Sequence, residues 1–216
     1  MKRRGFVLAA LGFLGAIFLY PHLGFCQSEP IVLGVATSLG FLEGDEGLKA
    51  ATLAVEEINA KGGVEVGGVK RKIQLESIDI RDAAPGVPVP EALLGMEKLI
   101  LEKKVQAMVV GPFRSEALLA GMDMLSKHRV PLLGTIAMTP ASEEKVKSEP
   151  EKYKYIFRTC LNAKYLVGYL VGMMKHLEKE FGFKKLFLMH QDVLWAKGTA
   201  EKVAEVPRGQ DGRYWA

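Results

Sequence analysis

Val55-Glu56-Glu57-Ile58-Asn59-Ala60-Lys61-Gly62-Gly63 decides how this chain is read, together with the residues on either side of it. Leu48, Ala51, Val55 and Ile58 recur at helical spacing and give one apolar stripe. Lys61 and the Gly62-Gly63 pair supply the stop, a basic last turn followed by residues that take the left-handed conformation without penalty. Upstream, Ile31-Val32-Leu33-Gly34-Val35-Ala36 is an apolar run short enough for a buried strand. Downstream, Lys72-Ile73-Gln74-Leu75-Glu76-Ser77-Ile78-Asp79 alternates and predicts a second strand. Strand, loop, capped helix and strand make one βαβ unit.

The alternation continues outward. A proline-rich turn at Pro85, Pro88 and Pro90 leads into a helix over 89–104 that carries Leu93, Leu94, Leu99 and Ile100. Residues 107–111 read as a strand, and 115–127 as a helix with Ser115 at its N-cap. A fourth strand is expected over 130–135, with Pro131 where a missing N–H does no harm. The charged stretch 143–154 reads as partly helical surface, and 155–159 as a short strand. A long helix over 164–181 is expected to bury Leu166, Leu170, Met173 and Met174, and 184–190 is expected to be a sixth strand. Residues 198–205 begin another helix. Strands alternating with helices of this length predict a doubly wound α/β fold, a parallel sheet covered on both faces.

The ends carry different signals. Lys2, Arg3 and Arg4 precede an apolar run from Gly5 to Tyr20, closed by Pro21, which is the plan of a secretory signal peptide over residues 1–28. The run is shorter than the ~20 apolar residues that span a bilayer, which disfavours an uncleaved anchor. Arg3-Arg4-Gly5-Phe6 leaves twin-arginine export open, and Leu23-Gly24-Phe25-Cys26 is an imperfect lipobox because Phe25 stands where a small residue is expected. An extracytoplasmic, periplasmic location follows from export. At the other end, 206–216 turns polar and loses all period, with Pro207 and two glycines opposing a helix, so it reads as an aberrant tail.

Composition narrows the function. The chain has 29 Lys and Arg against 25 Asp and Glu, and three of the basic residues lie in the leader, so the remainder is near neutral. No basic stripe interleaved with aromatics occurs, and nucleic acid is not an expected partner. Cys26 and Cys160 are the only thiols, which excludes an internal disulfide framework beyond the leader. His22, His128, His176 and His190 are scattered with no metal-ligand spacing. No dinucleotide fingerprint, phosphate loop or nucleophile elbow is present, so neither an enzyme nor a cofactor is expected. His190 beside Asp192 remains as a catalytic pair or, more simply, as two solvated loop residues.

In an open parallel sheet, ligands bind beyond the carboxyl ends of the strands. Four loops qualify here: 37–44, 111–115, 135–140 and 191–198. Their wording, with that of the opening βαβ unit, resembles type I periplasmic substrate-binding proteins of the leucine/isoleucine/valine kind, over residues 31–205. Gly111-Pro112 followed by Ser115 is similar to the family's Gly-Pro-x-x-Ser loop, whose serine holds a ligand carboxylate. Ala137 and Thr139 fall on its Ala-x-Thr positions, where a backbone carbonyl and a hydroxyl hold an amino-acid head group. Asn162 lies near an aspartate of many members, and Trp195 replaces the tyrosine of a Tyr-Gly-x-Gly segment.

The resemblance therefore implies the substrate-binding component of an ABC transporter. It would be a monomer that captures a small amino-acid-like ligand between two lobes and presents it to a membrane permease. Residues 29–160 would form lobe one and 161–205 a partial start of lobe two, with most of lobe two missing. The implied site residues are Ser115, Ala137, Thr139, Phe41, Trp195 and Asn162. Simpler roles stand beside these: Ser115 as an N-cap, Thr139 before Pro140 as a turn former, Phe41 and Trp195 as ordinary packed aromatics. A truncated product that binds nothing, and the sensing domain of a receptor, are the rival functions.

Overall fold

The computed structural model describes residues 29–183 and 185–206; the expected leader and most of the aberrant tail, 207–216, lie outside the described residues. Strand β1 (Ile31–Thr37) is followed by helix α1 (Leu42–Ala60). A hairpin of β2 (Val64–Val66) and β3 (Val69–Arg71) comes next, then β4 (Ile73–Asp79). Helix α2 (Val89–Leu101), strand β5 (Ala107–Val110) and helix α3 (Ser115–His128) complete the second and third units. Beyond them lie α4 (Ala141–Ser148), α5 (Pro150–Tyr153), α6 (Ala163–Phe181) and α7 (Leu194–Ala204).

The strands form a parallel sheet in the order β4-β1-β5. Val35 and Ala36 in β1 are fully buried, as an apolar run covered on both sides should be. Register explains how both faces are served. Gly34 pairs with Met108, but Val35 pairs with Val110, so β5 gains a residue at 109. Met108 therefore joins Ala36 in the main core with Met96, Leu99, Leu118 and Met122 from α2 and α3. Val110 is turned to the other face, where a Cβ on Gly47 of α1 would lie 3.4 Å from its methyl.

Helix α1 ends at the glycine pair as expected, but Lys61 is its C-cap and no basic residue stands in its last turn. The Gly63 amide donates to the Ile58 carbonyl at 3.0 Å, and Gly62 and Gly63 have φ of +100° and +94°. Its start is tighter than the stripe suggests: a Cβ on Gly44 would stand 2.0 Å from the Ser38 carbonyl oxygen. Only glycine lets α1 begin directly against the end of β1.

Several expectations need correction. The fourth strand reduces to a bridge at Leu132, flanked by Met108 and Ile156, and the strand over 155–159 reduces to Ile156 alone. The backbone still pairs there: the Met108 amide donates to the Pro131 carbonyl at 2.8 Å, so Pro131 contributes only its acceptor. Residues 185–190 form no strand among the described residues, and Phe187 and Met189 are 82% and 88% exposed. An alternating pattern is not enough without a partner ladder. Helix α6 buries only Ala163, while Leu170 and Met173 face solvent, because α7 is the principal element packed on it. Helix α7 starts at Leu194, four residues earlier than read. No helix among the described residues is long and apolar enough to cross a membrane.

Candidate functional site

The loops leaving the carboxyl ends of β1, β4 and β5 are fastened to one another by a buried carboxylate. Asp82, 2% exposed, accepts the Ser38 hydroxyl at 2.8 Å on one oxygen and the Arg114 amide at 2.7 Å on the other. The Ser38 hydroxyl oxygen also accepts the Ala83 amide at 2.6 Å. Burial pushes the Asp82 carboxyl above its ordinary value, against the opposing pull of these donors and of the Arg114 charge. Phe41, at the N-cap of α1, brings its ring to 6.3 Å from that of Phe113, so the first and third loops also share an aromatic contact.

Ser115 is the first residue of α3, not its cap; Arg114 holds the cap position. The Ser115 hydroxyl is fully buried and has no hydrogen-bond partner among the described residues. The next loop packs directly on this one. Thr135 Oγ1 and the Ala137 amide both donate to the Pro112 carbonyl, at 2.9 and 3.0 Å.

Arg158 secures the fourth loop. Its guanidinium donates to the carbonyls of Ala137 at 2.6 Å and Thr139 at 2.9 Å, to the Ser142 hydroxyl at 2.9 Å, and to Glu143 Oε1 at 2.6 Å. Burial pushes the Glu143 carboxyl up, but donors from Asn162, Ser142 and Arg158 outweigh it and hold the group below its ordinary value. Asn162 spends both ends of its amide here, donating to Glu143 at 2.9 Å and accepting the Lys164 amide at 3.1 Å as the N-cap of α6. The Thr139 hydroxyl oxygen accepts the Ala141 amide at 3.2 Å, the turn role its place before Pro140 suggests. A cavity of about 210 Å³ lies beside this cluster, lined by Thr135, Glu143, Ile156, Phe157 and Arg158 among others.

Trp195, half-buried in the first turn of α7, reaches the same edge through its neighbour: the Leu194 amide donates to Glu116 Oε1 at 3.2 Å. Contacts connect the elements that carry the six residues singled out from the sequence: Phe41 reaches Phe113, Ala137 reaches Pro112, Asn162 reaches Glu143, and Leu194 beside Trp195 reaches Glu116. Ser115 and Thr139 are linked through Pro112 and Ala137. The sequence reading missed Asp82, Phe113, Glu116, Glu143 and Arg158. Asp82, just past a strand end, and Phe113, within the 111–115 loop, had a positional signal; the other three did not. Among the described residues no group of three or more His, Cys, Asp or Glu side chains is placed to hold a metal ion.

A family model described as periplasmic binding protein matches residues 32–213. Among solved structures, the chain is similar to the branched-chain amino acid transporter substrate-binding protein of Streptococcus pneumoniae, solved with isoleucine. The two share 25% identity with a TM-score of 0.61, over 82% of this chain and 46% of that one. An ABC transporter substrate-binding protein from Sphaerobacter thermophilus matches at 20% identity and TM-score 0.58, over 86% of this chain and 46% of the other. A solute-binding protein from R. palustris, solved with 4-hydroxybenzoate, matches at 20% identity and TM-score 0.59, over 82% and 43%. The chain spans less than half the length of these proteins.

Proposed function

This chain belongs to the periplasmic binding protein family, and from that premise we propose that its rim grips the carboxylate of a small amino-acid-like solute for uptake by an ABC transporter. The observation that carries this reading is Ser115: a fully buried hydroxyl with no partner among the described residues, in the first turn of a 14-residue helix. A buried hydroxyl left unsatisfied costs about 1–3 kcal/mol, so its presence favours a role outside stability. The first turn of α3 also offers amides without intrahelical partners and the positive end of the helix dipole, which suit an anion. Thr139 supplies a second hydroxyl. The Ala137 carbonyl, with one lone pair taken by Arg158, keeps another for an ammonium. Phe41 and Trp195 are assigned to the apolar walls, and Asn162 acts by holding Glu143.

Isoleucine and 4-hydroxybenzoate, the ligands of two similar structures, have a carboxylate in common, which agrees with a rim that reads that group first. Recognition, not catalysis, is the mechanism. In the whole protein, residues 29–160 act as lobe one and 161–205 begin lobe two; closure over the solute generates the form a membrane permease reads. We place it outside the cytoplasm, exported by residues 1–28, and acting as a monomer. Calorimetric titration with leucine, isoleucine, 4-methylpentanoate and 4-hydroxybenzoate tests the reading. Saturable heat from at least one carboxylate is expected, with none from leucinamide. Silence from every carboxylate with folded protein would reject it.

A further inference from the structure

We infer that Asp82 is a positioning residue for the carboxylate-reading rim, acting through the Arg114 amide and the Ser38 hydroxyl. This rests on the functional reading above and adds to it a residue that touches no part of the proposed ligand site. The geometry is direct. One carboxylate oxygen takes the amide of Arg114, the residue immediately before Ser115, and so fixes how the chain enters α3. The other takes the hydroxyl of Ser38, which in turn holds the Ala83 amide. The loop fixed through Ser38 is the one that carries Phe41 toward Phe113. A single side chain that is 2% exposed therefore bonds the loops that follow all three strands, in addition to the sheet pairing that holds the strands themselves.

Only the ionised carboxylate accepts both donors without itself donating. Its charged surroundings are few. The Arg114 guanidinium is directed to the Val87 carbonyl at 3.2 Å and toward Glu116 at 3.5 Å. On its own segment, Asp79 accepts the Leu39 and Arg81 amides, and Arg81 faces Glu91 at 3.8 Å. None of these replaces Asp82 as the acceptor for Arg114 and Ser38. Because burial raises its pKa, Asp82 protonates at a higher pH than a surface aspartate, and the second acceptor is then lost.

The test compares wild type, Asp82→Asn and Ser38→Ala in binding 4-methylpentanoate across pH, with amide hydrogen exchange at residues 113–116. At neutral pH, Asp82→Asn is expected to bind about tenfold more weakly, the scale of losing one charge-assisted hydrogen bond, and Ser38→Ala is expected to fall between it and wild type. The ratio of wild-type to Asp82→Asn affinity should shrink toward one as the pH falls through the Asp82 titration, since the ligand's own ionisation cancels in that ratio. Arg114 and Ser115 amides should exchange faster in Asp82→Asn. Affinities within twofold of wild type for both variants, or a ratio that does not change with pH, would overturn the inference. If Asp82→Asn does not fold, Ser38→Ala decides by the same twofold criterion. Failure of wild type to bind any carboxylate removes the functional reading and the role of Asp82 with it. Normal binding by both variants removes the role of Asp82 alone.

Discussion

Replacing Arg158 by Gln should destabilise the fold by about 3 kcal/mol, mainly through groups left behind. The Arg158 side chain is 12% exposed and donates to the Ala137 and Thr139 carbonyls at 2.6 and 2.9 Å. Each carbonyl that loses a charged donor inside the structure costs about 1–1.5 kcal/mol. Glu143 contributes less. Its side chain is 40% exposed and keeps the Asn162 amide and the Ser142 hydroxyl, so losing the ion pair adds under about 1 kcal/mol after solvent screening. In a domain of this size the sum corresponds to a fall in Tm of roughly 6–12 °C. Urea unfolding of wild type and variant, with the slope m unchanged, reads the difference directly. Arg158→Lys, which keeps the charge but not the fork, should recover less than half of it. A loss below about 1 kcal/mol for Arg158→Gln would refute the assignment of this side chain as the clamp of the 135–140 loop.

Other perturbations separate structure from binding. Ser115→Ala should leave stability unchanged or slightly raised, because it deletes a buried hydroxyl without a partner among the described residues, while weakening carboxylate binding about tenfold; urea unfolding and calorimetry on the same samples check both. Gly44→Ala should lower stability by about 2 kcal/mol or more, since its Cβ would stand 2.0 Å from the Ser38 carbonyl oxygen and α1 must shift away from β1; thermal unfolding measures it. Acid should weaken the α3–α5 contact. The Asp123 carboxyl lies below its ordinary value, first through its hydrogen bond from Lys152 and then through that from the Tyr153 hydroxyl. A carboxyl with a depressed folded pKa contributes stability that is complete above the unfolded value, about 3.9, and is lost as the pH falls through the folded value. Asp123→Asn should therefore flatten the acid limb of the stability–pH curve in that window.

The βαβ opening was legible because each of its parts is written locally. The stripe on α1, the glycines at 62 and 63, and the runs of β1 and β4 depend on neighbours within a few residues. The hairpin between them was missed although its signal was present: Gly67-Gly68 separates two three-residue strands, and both glycines have positive φ, as a tight hairpin turn requires. Residues 185–190 show the opposite failure. Their pattern suits a strand, but a strand exists only where another offers hydrogen bonds, and that is a property of the whole fold.

The rim divides in the same way. Ser115 opens the helix after β5, and Ala137 and Thr139 follow the bridge at Leu132 where periodicity suggested a full strand; the resemblance supplied their proposed roles. Asp82 and Arg158 are single charged residues whose partners lie elsewhere in the chain. Asp82 reaches across 44 residues to Ser38 and 32 to Arg114, and Arg158 across 21 to Ala137. No local spacing announces such contacts. Asn162 illustrates a third case: the resemblance implied a ligand role, and its amide is committed to Glu143 and to the start of α6.

Chemical-shift mapping of the amide spectrum during titration with 4-methylpentanoate tests the central claim most directly. A carboxylate held by the start of α3 should move the amides of residues 115–117 and 139 together and saturably, with leucinamide leaving them in place. Shifts confined to other surfaces, or saturable binding that leaves Ser115 and Thr139 untouched, would contradict it.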